Sequence, residues 1–69
     1  MTFIEAVNNM LAGKKMIRPG WSGYYLTILS NQNYIWEIGS SNKDPKINAA
    51  IYICSLDDIL ATDWIVKIN

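Results

Sequence analysis

Residues 15–38, KMIRPGWSGYYLTILSNQNYIWEI, decide the fold. Lys15 to Arg18 is extended in character and is stopped by the turn pair Pro19-Gly20. Tyr24 to Ser30 (YYLTILS) and Asn33 to Ile38 (NYIWEI) are rich in β-branched and aromatic residues, which suit a pleated, half-buried surface. Asn31-Gln32 between these runs suits a hairpin connection, so the stretch reads as three strands, the last two antiparallel.

On the N-terminal side the period changes. In residues 2–12, TFIEAVNNMLA, Ile4, Val7 and Leu11 stand at i, i+3 and i+7 with Phe3 and Met10 flanking them, the spacing of an amphipathic helix. Thr2 followed by Glu5 is a capping-box pair able to satisfy free N–H groups of the first turn, and Gly13 stands where a left-handed terminator is wanted. Lys14 and Lys15 then complement the negative pole of the helix dipole.

On the C-terminal side, residues 39–48 (GSSNKDPKIN) read as a loop and Ala50 to Cys54 (AIYIC) as a fourth strand, in which Cys54 is a buried, inert thiol. Ser55 and Asp58 repeat the cap spacing and predict a short helix over 55–61. Trp64 to Ile68 (WIVKI) forms the last strand, with Trp64 in the core. The expected fold is a single α+β domain over residues 1–69: a mainly antiparallel sheet of about five strands, an N-terminal amphipathic helix across one face, and a short second helix before the last strand.

Composition narrows the functions. A chain of 69 residues buries only about 60% of the surface its unfolded form exposes, so its core is marginal. One cysteine provides no internal disulfide, and the absence of histidine removes the ordinary zinc sites. Charged residues are 17% of the chain, against about 25% in typical soluble domains, which favours association and predicts a homo-oligomer. Six basic and six acidic residues lack the electrostatic footprint of a binder of polymeric nucleic acid. No apolar stretch reaches the roughly 20 residues that span a bilayer, and the N-terminus lacks a secretory pattern, so a cytoplasmic protein is expected.

Candidate chemistry is equally constrained. The usual general base is missing, the serines lack an activating partner, and Asp57, Asp58 and Asp63 diverge too much along a helix to form a metal site. Neither catalysis nor a cofactor is expected. The aromatic residues are more informative: Trp21, Trp36, Trp64, Tyr24, Tyr25, Tyr34 and Tyr52 exceed what so small a sheet needs for its core. Trp21 has no periodic reason to be buried, and glycines on both sides leave its backbone open to a ligand, so binding and satellite packing both remain open for it.

The residue order resembles the Thoeris anti-defence protein two family. The resemblance rests on a helix ending in Leu-Ala-Gly-Lys-Lys, a strand leading into Arg18-Pro-Gly-Trp21-Ser-Gly, a tyrosine-rich strand, and a closing Asp58-Ile-Leu-Ala-Thr-Asp63-Trp64, covering roughly residues 2–30 and 50–68. Members of that phage family act as molecular sponges that sequester cyclic ADP-ribose-type immune signals without cleaving them. The resemblance implies a ligand-binding set of Trp21, Arg18, Tyr52, Asp58 and Ser22, with Trp21 as a base-stacking platform. Arg18 matches the family's basic position and Tyr52 stands where the family usually has a second tryptophan; chemically, Arg18 can grip phosphate, and Asp58 either accepts from ribose hydroxyls or serves as a helix-capping carboxylate. The resemblance also implies a cyclic nucleotide or cyclic ADP-ribose derivative as partner, a dimer or tetramer, and action in the host cytoplasm. Residues 31–49 lack the proline-rich insertion common in the family. The competing reading is a protein-interaction module that uses its aromatic surface.

Overall fold

The computed structural model describes residues 1–30, 32–39 and 49–68. Its elements run α1 (Phe3–Leu11), β1 (Met16–Ile17), β2 (Tyr24–Thr27), β3 (Trp36–Gly39), β4 (Ala49–Ile51), α2 (Leu56–Leu60) and β5 (Ile65–Val66). The strands form one five-stranded antiparallel sheet in the order β4-β3-β2-β1-β5. The last strand therefore lies beside the first and brings the two ends of the chain together.

The helix signals are realised. Thr2 accepts from the Glu5 N–H at 3.2 Å while the Glu5 carboxylate accepts from the Thr2 N–H at 2.8 Å, a complete capping box. Gly13 follows the C-terminal turn at φ +89°. Ser55 caps α2 by accepting from the Asp58 N–H at 3.2 Å. Lys15 lies beyond the last turn of α1, which contains no basic residue, and its ammonium instead sits 5.0 Å from the centre of the Tyr25 ring.

The buried face of α1 is rotated from the expected one. Ile4 and Leu11 are 73% and 66% exposed, whereas Ala6 and Met10 are fully buried with Phe3 and Val7 packed beside them. Phe3, Ala6, Val7 and Met10 also stand at i, i+3, i+4 and i+7, so two apolar stripes compete. The small Ala6 lets the helix approach the sheet, and the Phe3 ring meets Trp64 at 5.6 Å. Across the sheet, register places Val66, Met16 and Leu26 in one row, and all three belong to this core.

Strand ends are shorter than the sequence suggests. Pairing of β2 with β3 stops at Thr27 and Trp36, so their connection spans residues 28–35 rather than the pair Asn31-Gln32. Ile28 and Ile35 pack against the core beyond the last β2–β3 pair, and the Ile35 carbonyl accepts from Tyr52 N–H at 2.8 Å, which extends the contact of β3 with the β4 side. Asn31 and the expected loop residues 40–48 lie outside the described residues. The fourth strand ends at Ile51, so Cys54 lies past it and is exposed, contrary to the buried thiol expected.

Met10→Ala should lower stability by about 2–4 kcal/mol, the range for truncating a buried long side chain, while Leu11→Ala should change it by under about 0.5 kcal/mol. Urea denaturation of the two variants measures this contrast. Equal losses would restore the Ile4–Val7–Leu11 face.

Candidate functional site

The site begins with one guanidinium. Arg18 leaves β1 just before the Pro19-Gly20 turn, and its carbonyl accepts from the Trp21 N–H at 3.1 Å, which fixes Trp21 one turn away. Its side chain reaches residues 40 and 45 positions later in the chain. Nη1 donates to Asp58 Oδ1 at 2.9 Å, and Nε donates to Asp63 Oδ1 at 2.8 Å. Asp58 is presented by the first turn of α2, and its second oxygen accepts from the Tyr52 hydroxyl. The Asp58 carbonyl accepts from the Trp64 indole N–H at 3.0 Å, tying this network to the core.

Aromatic rings build the adjoining wall. Trp21 stacks on Tyr24 with centroids 4.7 Å apart and planes inclined by 29°, and meets Trp64 at 5.3 Å and 80°. Trp21 is thus packed against the core, and one face of its indole is taken by Tyr24, leaving at most one for a planar ligand. Gly20 and Gly23 flank it at φ +90° and +83°, and no atom lies within 4 Å of where a Cβ would stand at either. Their constraint is backbone conformation, since the space beside them is open.

The structure therefore brings Arg18, Tyr52 and Asp58 into one hydrogen-bonded group with Trp21 on the next turn. Ser22 is exposed in that turn, and its hydroxyl has no hydrogen-bond partner among the described residues. Trp21 and Tyr52 both pack on the core without a ring–ring contact between them among the described residues, so one chain does not itself form an aromatic sandwich. Asp63 joins the network although it stands outside the implied binding set. Its spacing of five from Asp58 falls off a helical face, but α2 ends at Leu60 and the chain turns back toward Arg18.

The electrostatics follow from this geometry. Hydrogen bonds from Arg18 to Asp63 and Asp58 raise the guanidinium pKa further. Burial works to raise the Asp58 pKa, but hydrogen bonds from Tyr52, Arg18 and Ser55 outweigh it and hold the carboxyl below 3.8. The Arg18 hydrogen bond likewise lowers Asp63. Burial, then Asp58, pushes the Tyr52 phenol well above 10.0. Local desolvation, then Asp58, also raises the Cys54 thiol, so this exposed cysteine stays protonated and a weak nucleophile. One cation and two carboxylates leave the group with a formal charge of −1.

Two pH limits on stability result. Asp58 and Asp63 are depressed in the folded state, so their contribution is present above 3.8 and is lost as pH falls through the lower folded values. Tyr52 is raised, so its contribution is present below 10.0 and is lost as pH rises through the higher folded value. The urea midpoint should be flat from about pH 5 to 9 and fall outside that range. Asp58→Asn should lower stability at pH 7 by about 1–2 kcal/mol, after allowance for solvent access, and blunt the acid limb. An unchanged acid limb in that variant would remove Asp58 from the account.

Among individually curated proteins, none is similar enough to match. The sequence model of the Thoeris anti-defense 2-like domain (Tad2-like) matches residues 1–67, almost the whole chain and both segments that meet at Arg18. The chain belongs to the Thoeris anti-defense 2-like family.

Proposed function

We propose that this protein sequesters a cyclic nucleotide or cyclic ADP-ribose-type signalling molecule of a bacterial immune system, holding it without cleaving it. The observation that carries the reading is the convergence of Arg18, Tyr52, Asp58 and Asp63, from distant parts of the chain, into one group beside Trp21. Aromatic stacking accounts for about 1–3 kcal/mol per base, whereas nanomolar capture needs about 12 kcal/mol. The polar group must therefore contribute alongside the ring. Without histidine the chain lacks the commonest general base, which suits capture rather than turnover.

The function extends to assembly. A second copy would enclose a small ligand more fully than one 69-residue chain and would supply the second aromatic face that Trp21 and Tyr52 of one chain do not form together. Ile53, Leu56, Leu60 and Ile68 are exposed apolar side chains near the C-terminal end of the chain, which suits a dimer or tetramer. The same surface favours a second reading, an interaction module directed at a host or phage protein. Among the described residues no helix is long and apolar enough to cross a membrane, and the host cytoplasm is the compartment proposed for its action.

Calorimetry with cyclic ADP-ribose isomers and cyclic dinucleotides tests the proposal, followed by recovery of the ligand after heating. The expected result is tight binding of one of them and its release intact. Trp21→Leu, which keeps apolar packing but removes the stacking face, should weaken binding by about 10- to 100-fold. No binding, or a cleaved product, would contradict the proposal, and capture of a specific protein without nucleotide binding would favour the interaction module.

A further inference from the structure

The two aspartates beside Arg18 are not equivalent. Both oxygens of Asp58 are engaged, one by Arg18 and one by Tyr52, and its side chain is only 15% exposed. Asp63 uses Oδ1 for Arg18, while Oδ2 accepts no hydrogen bond from another of the described residues and the side chain is 48% exposed. Arg18 shows a matching division. Nε and Nη1 each donate once, and Nη2 is the guanidinium nitrogen without a partner among the described residues. Asp58 is thus occupied in fixing Arg18 and Tyr52, and the acceptor and donor left most open are Asp63 Oδ2 and Arg18 Nη2.

We infer that Asp63, together with Arg18, forms the polar reading edge of the ligand site, and that this edge takes an uncharged part of the ligand carrying an O–H or N–H donor next to an acceptor. The inference rests on the sequestration reading above. It replaces Asp58 with Asp63 as the acceptor that meets the ligand, and it removes Arg18 from the role of phosphate grip. Two of the five N–H donors of the guanidinium are already given to carboxylates, so its charge is shared with Asp58 and Asp63 before any ligand arrives. An approaching phosphate would also meet two carboxylates for one cation, a net repulsion. A hydroxyl or amino group meets no such repulsion, and an ionised carboxylate accepts from it more strongly than a neutral oxygen does. A ribose diol and an aminopurine edge both present this donor–acceptor pair. Asp58 then acts as a positioning residue that reaches the ligand through Arg18.

The test is calorimetry on the whole chain with the cyclic ADP-ribose isomer that binds best, at about 0.05 M and 0.5 M salt, a range over which exposed charge contacts are strongly screened. Affinity should change by less than about threefold across it, because no phosphate is gripped. Asp63→Ala should weaken binding by about 10- to 100-fold, the loss of one hydrogen bond to a charged acceptor, with little change in melting temperature for so exposed a residue. Asp63→Asn, which keeps a carbonyl acceptor, should recover part of the loss. A 2′-deoxy analogue that binds weakly would identify the ribose as the group read, and a 6-oxo analogue that binds weakly would identify the purine edge. Wild-type affinity in Asp63→Ala, or competition by inorganic pyrophosphate with a steep salt dependence, would overturn this inference while leaving sequestration intact. Failure of the wild-type chain to bind any isomer or cyclic dinucleotide would overturn sequestration and this inference with it.

Discussion

Trp64 has to be buried, and a chain of 69 residues has little with which to bury it. It is the largest fully buried side chain, and each of its neighbours comes from a different part of the sequence. Phe3 of α1 and Trp21 of the β1–β2 turn pack on its ring. The start of α2 supplies a carbonyl for its indole N–H, and Met1 supplies one for its backbone N–H at 3.1 Å. A buried tryptophan with an unpaired N–H would incur a desolvation penalty of about 1–3 kcal/mol, so satisfying the indole ties α2 to the core.

The geometry of the candidate site is a consequence of that burial. The indole holds the Asp58 backbone, so the Asp58 side chain is directed to the same side as Arg18, and Asp63 precedes Trp64 directly. Arg18 then closes the gap between the β1–β2 turn and the α2–β5 turn. Much of what a larger protein does with a second layer of side chains is done here by a backbone carbonyl and two ion pairs. The group is therefore preorganised before any ligand arrives, which lowers the ordering cost of binding. The chain belongs to the Thoeris anti-defense 2-like family, and the capture proposed for it would draw on this preorganisation.

The elements themselves were legible in the sequence because their signals are local. Thr2–Glu5 and Ser55–Asp58 announce both helices, Gly13 ends the first, and the aromatic and β-branched run from Tyr24 places the sheet. The buried face of α1 was not legible from periodicity, since Ile4–Val7–Leu11 and Phe3–Val7–Met10 are both good stripes and only contact with Trp64 selects between them. Strand ends were not legible either: Ile28, Ile35 and Cys54 have strand composition, yet all three lie beyond the paired residues, Ile28 and Ile35 packed on the core and Cys54 exposed. In the candidate site, Arg18, Tyr52 and Asp58 stood out by resemblance, whereas the part proposed for Asp63 depends on which carboxylate oxygens are occupied. That property exists only in three dimensions.

The central claim is that the two ends of the chain meet around Trp64 to form one ligand site. Amide, indole and guanidinium resonances followed by NMR during titration with cyclic ADP-ribose isomers test it most directly. The account predicts that the largest shifts fall together on Trp21 Nε1, Arg18 Nε and the backbone of residues 58 and 63. Shifts confined to Ile53, Leu56 and Leu60, with Trp21 and Arg18 unmoved, would contradict it.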